Sequence, residues 1–197
     1  MERITKAFLV SALVFGGTPR RALELAVKED VEIVLSTYVV DELQEVLQRR
    51  FPSVVDIGDK VLEWLRPTIV SSPSRDEWQE YSGLLADEED LPVLVAALKA
   101  RVQVLVSGDR GFHKPEVDRL LAVLDASHFF AALYCYRAME QARYSRLQEG
   151  GFCGRVPSCT GVIAFAPTKR ACREELASVL FDWVLLSLRM GHTLPDI

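Results

Sequence analysis

Along the first two-thirds of the chain, short apolar runs alternate with longer stretches in which apolar residues recur at helical spacing. That alternation predicts β-α units around a parallel sheet. The first strand is expected at about Ile4 to Val10, with Phe8 to Phe15 read as buried strand running into a short helix. A helix is expected from Pro19 to Lys28, with Thr18 as its N-cap and proline at its first position. Val31 to Leu35 (V-E-I-V-L) reads as the second strand. Ser36 then caps a helix whose apolar face carries Val39, Val40, Leu43, Val46 and Leu47. Residues 54–66 give another helix, and a loop rich in serine and proline (Ser71-Ser72-Pro73-Ser74) leads to Asp87-Glu88-Glu89-Asp90 and a helix through Leu98. Val102 to Val106 is the clearest strand and runs into Ser107-Gly108-Asp109. Leu120 to Leu124 is a last short strand, and Asp125 or Ser127 starts a helix.

Past residue 140 the texture changes. Gly150-Gly151 signals a turn, Phe152 to Pro157 alternates like a strand, and Val162 to Phe165 gives another. A long helix is expected from Thr168 to Met190, stopped by Gly191. This is a small β-β-β-α unit, and about 55 residues make a lean independent core. The apolar residues Val179, Leu180, Trp183, Val184 and Leu188 exceed what one thin sheet needs on one helix. The excess points to a protein–protein interface, with the first domain or with another subunit, and the unit is expected to lean on a partner or on a copy of itself. The expected domains are 1–136 and 140–197, joined near 137–143.

Composition narrows the function classes. A chain of 197 residues with 49% hydrophobic and 26% charged residues has material for a core and too little charge for disorder. The net charge of -5 argues against bulk electrostatic grip on nucleic acid. An acidic metal site stays open, because a divalent cation would supply the positive charge a phosphate needs. The four cysteines, Cys135, Cys153, Cys159 and Cys172, form no C-x-x-C pair, and there are three histidines, so a zinc site is not expected. Arg3 and Lys6 before the apolar run Ala7 to Phe15 imitate a secretory leader, but no small-x-small cleavage site follows. Val179 to Leu188 is interrupted by Asp182 and too short to span a bilayer. A soluble, cytoplasmic protein with no membrane segment is the expectation.

In an open parallel sheet, functional residues gather at the carboxyl ends of the strands. Asp109 follows the clearest strand, Asp90 opens the helix leading into that strand, and Glu42 sits within the helix after the second strand. Carboxylates that converge repel one another unless a hard cation lies between them. Such a cation would lower the pKa of an attacking water in phosphodiester hydrolysis. Each acid also has a plain structural alternative. Glu42 reads as one of several solvated helix acids, Asp90 as an N-cap and Asp109 as a turn residue.

The succession V-S-A-L-V-F-G-G-T-P-R-R, S-T-Y-V-V-D-E-L-Q-E-V-L, D-E-E-D-L-P-V-L-V-A-A-L, V-L-V-S-G-D-R and V-L-D-A-S-H-F-F-A-A-L resembles the PIN-domain family, in particular its bacterial toxin-like members, over about residues 3–136. The resemblance implies a doubly wound parallel sheet and an endoribonuclease dependent on Mg2+ or Mn2+, often the toxin of a toxin–antitoxin pair. By matching position it implies Glu42, Asp90 and Asp109 as acidic metal ligands and Ser107 as a supporting hydroxyl. Two family positions depart: the first-strand Asp-x-Asn element is occupied by Thr5 and Ala7, and a later aspartate by Gly111. Thr5 offers a neutral oxygen where the family has a charged one, so weak or absent activity is expected. The stretch G-G-F-C-G-R-V-P-S-C-T-G-V-I-A-F-A-P-T-K-R-A-C-R-E-E-L, with the final M-G-H-T-L-P-D-I, resembles the HicB-type antitoxin family. That resemblance implies binding to a toxin and homo-oligomerisation, and no DNA-binding segment is expected after Ile197. RNA is the expected substrate if the first domain is active. The competing expectation is a non-catalytic interaction scaffold.

Overall fold

The computed structural model of the protein describes residues 2–4 and 6–197, which divide into two compact units, 1–126 and 127–197. In the first unit the strands β1 (Glu2–Ile4), β2 (Ile33–Ser36), β3 (Thr68–Val70), β4 (Val104–Val106) and β5 (Ala122–Leu124) form one sheet. Their order is β3-β2-β1-β4-β5 and all pairings are parallel. Helices α1 (Lys6–Val10), α2 (Gly17–Lys28), α3 (Thr37–Arg50), α4 (Val55–Leu65), α5 (Arg75–Gln79), α6 (Leu91–Lys99) and α7 (Pro115–Asp118) connect the strands. This is the parallel α/β layout that the alternating pattern predicts, and a parallel sheet of this kind is covered by its crossover helices.

The start of the chain differs from expectation. Residues 6–15 are helical, α1 continuing into a π-helix at Ser11–Phe15, whereas strand was expected to about Val10 before a short helix. A short continuous apolar run reads equally as buried strand or buried helix, because periodicity has nothing to alternate against. Phe8, Leu9 and Ala12 are buried in this helix while Phe15 is 73% exposed. The following helix begins at Gly17 with Gly16 in the cap position, so Thr18 lies inside the first turn and is not the N-cap. Thr5 lies outside the described residues. Ser36 does cap α3: its buried hydroxyl accepts the Val39 N–H at 3.3 Å. Asp90 stands at the cap position of α6 but makes no side-chain cap bond there, and Asp87 accepts the Glu89 N–H at 2.9 Å instead. Helix α6 is buried from Leu91 through Ala97. β3, α5 and α7 were not expected; each has at most five residues, too few to show a period.

The second unit holds α8 (Ala126–Glu140) and an antiparallel sheet of β6 (Arg143–Arg146), β7 (Phe152–Arg155) and β8 (Ile163–Ala166), followed by α9 (Lys169–Arg189). Only Ala126 of α8 falls in the first unit. Thr168 caps α9 through a bond from the Ala171 N–H at 3.1 Å, as its sequence position suggested. Buried Cys172, Leu176, Leu180 and Val184 form the inward stripe of α9, against β7 and β8. Gly154 lets the helix close on the sheet: a Cβ there would meet the Tyr144 ring at 2.9 Å and the Cys172 sulfur at 3.0 Å. The chain end is anchored as well. Tyr134 donates to the Pro195 carbonyl at 2.9 Å, and Leu194 is buried. Cys135, Cys159 and Cys172 are buried free thiols and Cys153 is half-buried. No helix among the described residues is long and apolar enough to cross a membrane.

Three helices end in one and the same motif. In α2, α6 and α9 the N–H two residues beyond the C-cap returns to the carbonyl five residues back: Val31 to Ala26, Val102 to Ala97 and His192 to Ser187. The residue between has positive φ in each case, at Asp30 (53°), Arg101 (52°) and Gly191 (69°). Only glycine takes that conformation without a steric cost. Arg101→Gly should therefore raise stability by roughly 0.5 kcal/mol, the strain relief exceeding the entropy that glycine adds to the unfolded chain. Gly191→Ala should lower it by about 1 kcal/mol. Chemical denaturation of the two variants measures both, and a destabilised Arg101→Gly would show that its side chain contributes more than its strained backbone costs.

Candidate active site

Parallel pairing places every strand of the first sheet with its carboxyl end at one edge. Ser36, Ser71, Ser107 and Asp125 all follow or end strands there. The strand order reverses direction at β1, between β2 and β4, which makes that stretch of the edge the natural crevice.

Glu42 and the turn that precedes α6 are linked by a residue that the sequence pattern did not single out. Tyr38 lies four residues before Glu42 on α3, hence on the same helix face. Its hydroxyl donates to the Glu89 carbonyl at 3.1 Å, and the Glu42 carboxylate lies beside it as a competing acceptor for the same proton. Asp90 is close enough to act on the same phenol through its charge. Burial pushes the Tyr38 hydroxyl up to about 12, and Glu42, Glu89 and Asp90 add to the rise because a phenolate beside carboxylates is repelled. The neutral phenol thus ties α3 to the turn that opens α6. Two further hydroxyls secure the start of α3. Thr37 and Ser72 lie 2.7 Å apart through their side-chain oxygens, and Ser72 accepts the Tyr38 N–H at 2.8 Å. The i, i+4 spacing of Tyr38 and Glu42 in S-T-Y-V-V-D-E was the available signal.

Ser107 and Asp109 sit on the next element of the same edge. Ser107 is fully buried; its N–H donates to Leu124 at 2.9 Å, and its hydroxyl accepts the Asp109 N–H at 3.1 Å. Asp109 is exposed, and its carboxylate accepts the Gly111 N–H at 2.7 Å. A Cβ at Gly111 would come within 3.1 Å of that carboxylate oxygen, so the glycine suits the tight turn. Asp109 is therefore held by its own loop, whereas Glu42 lies at Tyr38 and Asp90 acts on that phenol only through its charge. Among the described residues no group of three or more histidine, cysteine, aspartate or glutamate side chains is placed to hold a metal ion. Glu42, Asp90 and Asp109 are thus not assembled into a three-ligand cation site among the described residues. A hollow of about 740 Å3 lies at the opposite edge, lined by Asp30, Glu32, Lys60, Trp64 and Arg66 among others, away from these acids.

The Tyr38 environment gives a pH signature. The folded protein holds this phenolic proton more tightly than the unfolded chain does. Its contribution to stability is present below about pH 10 and is lost as pH rises toward about 12. Ultraviolet titration of the wild type minus Tyr38→Phe should show one tyrosine ionising near 12, and Glu42→Gln should move it downward. A difference curve centred at an ordinary phenol pKa would contradict the placement of Glu42 beside Tyr38.

Comparison with known proteins matches this chain in two places. The PIN domain family model matches residues 5–111, and a UPF0150-like family model matches residues 133–195. Among solved structures, TTHA0281 from Thermus thermophilus is similar at 33% identity, covering 33% of this chain and 82% of its own, with a TM-score of 0.32. VapBC2 from Rickettsia felis, bound to a DNA fragment from its promoter, is similar at 20% identity, covering 63% and 97%, with a TM-score of 0.49. No curated protein matches. The PIN model spans more than half of the chain and takes in Glu42, Asp90, Ser107 and Asp109 in order, and this chain belongs to the PIN domain family, with a UPF0150-like domain after it.

Proposed function

We propose that this chain is a nuclease-like protein of the toxin–antitoxin type. In this reading residues 1–136 carry a slow, Mg2+- or Mn2+-dependent endoribonuclease, and residues 140–197 act as a HicB-type antitoxin-like module, in the cytoplasm. The observation that carries it is the PIN family match, which takes in Glu42, Asp90, Ser107 and Asp109 in order. Glu42, Asp90 and Asp109 are the proposed metal-binding acids, with Ser107 fixing the backbone that presents Asp109. The second module is the proposed contact for a protein partner or for another copy of the chain. A second reading, a non-catalytic scaffold, draws on the missing three-acid group among the described residues.

The two readings part on divalent-ion binding. In the nuclease reading, calorimetry with Mn2+ detects weak binding that Asp90→Asn abolishes. Single-stranded RNA is then cleaved slowly, and chelator stops the cleavage. Thr5→Asp restores a charged oxygen at the family's first-strand position and should tighten the ion roughly tenfold and speed cleavage with it. Absence of ion binding in both the wild type and Thr5→Asp would leave the scaffold. Rapid cleavage that survives Asp109→Asn would overturn the residue assignment.

A further inference from the structure

The three-stranded sheet of the second unit has one face turned to α9 and one turned away. Ala164 and Gly154 are buried on the helix side. The alternation of side chains along each strand therefore puts Arg143 and Ser145 of β6, Cys153 and Arg155 of β7, and Ile163 and Phe165 of β8 on the other face. Phe165 is 63% exposed and Ile163 46%. None of these six residues is acidic.

Two of them make an arrangement that folding alone disfavours. Arg143 and Arg155 stand directly opposite each other across the β6–β7 pairing. Like charges in that relation destabilise a sheet. Two other arginines of this unit find acids, Arg137 with Glu140 at 2.7 Å and Arg170 with Glu174 at 3.0 Å, while Arg146, Arg173 and Arg189 stand singly rather than opposite another arginine. Among the described residues Arg143 and Arg155 pair with none. Next in the same cross-strand row is Ile163, and Phe165 lies on the diagonal from Arg155. Charge is also unevenly divided. Residues 127–197 hold eight Lys and Arg against six Asp and Glu, while residues 1–126 hold fifteen against 22.

We infer that this face binds single-stranded RNA, with a backbone phosphate between Arg143 and Arg155 and a base stacked on Phe165. An anion between two opposed guanidinium groups turns their repulsion into attraction. An exposed aromatic ring beside them gives an unpaired base the flat apolar surface that such sheets use for stacking. A second copy docked face to face would oppose two arginine pairs and is disfavoured by the same charges. The inference rests on the reading of the first unit as acting on RNA, and gives the protein a second place to hold that substrate.

The test is fluorescence anisotropy of the full chain with a short labelled oligouridylate, in chelator so that no cleavage occurs. Arg143→Gln with Arg155→Gln should weaken binding about tenfold and reduce the salt slope by about 0.7, the share of one phosphate contact on a single strand. Arg143→Lys with Arg155→Lys should keep that slope, and Phe165→Ala should weaken binding about tenfold. Unchanged binding in the glutamine variant overturns the inference. So does a change of oligomeric mass without loss of RNA, duplex DNA bound as tightly as the oligouridylate, or displacement of RNA by polyglutamate. RNA binding that is lost in these variants, in a protein that never cleaves, leaves this inference standing and removes the proposed activity. Cleavage whose KM is unmoved by the glutamine variant removes this inference alone.

Discussion

Parallel pairing on both sides of a three-residue central strand is the constraint on which the PIN unit depends. β1 bonds to β2 on one side and β4 on the other, so neither neighbour can be reached by a hairpin. Each crossover must run back along the sheet as helix, which returns every strand in the same direction and collects the strand ends at one edge. Strands of three or four residues offer few ladder bonds. The helices carry most of the apolar burial, and α6 shows the result: seven successive residues, Leu91 to Ala97, are all buried. A helix so placed cannot shift without emptying the core, and so Asp90 at its start is fixed as firmly as the core itself.

The edge that results is assembled from polar groups with divided loyalties. Ser36 and Ser107 are buried and committed to backbone, one as a helix cap and one as a turn brace. Thr37 and Ser72 serve each other, and Tyr38 bridges α3 to the turn before α6. The carboxylates of Glu42 and Asp90 are half-exposed and that of Asp109 is exposed. Negative charge is therefore held at the rim by a neutral, hydrogen-bonded frame, an arrangement that costs little while the acids stay hydrated and favours any cation that approaches. The loop of Asp109 belongs to the same frame but turns its carboxylate on the Gly111 amide.

Much of this was legible in the sequence because the signals were physical and local. The parallel α/β layout followed from runs such as Val102 to Val106 set among amphipathic stretches, and Ser36 and Thr168 were readable as caps from residue type and position. The errors came where those signals have no contrast. Ala7 to Phe15 is apolar but for Ser11, so strand and helix look alike, and the chain is helical there. Thr18 has the chemistry of a cap, but Gly16 takes the backbone conformation. At the edge, the order of Glu42, Asp90 and Asp109 could be read, but which of them meet could not. Glu42 meets the turn before α6 through Tyr38, a residue whose role is set 51 positions away at Glu89.

The thiols of the second unit divide by accessibility, and this has a practical consequence. Cys135, Cys159 and Cys172 are buried, and burial pushes Cys135 up to about 12 and Cys172 above its usual range, so these two stay protonated and inert at neutral pH. Cys153 alone is half-exposed, in the middle strand of the sheet and on the face that turns away from α9. A maleimide dye would react there first and report on that face without any engineered cysteine. The chain thus carries its own attachment point for fluorescence or spin labelling, two residues from Arg155 and across the strand from Phe165.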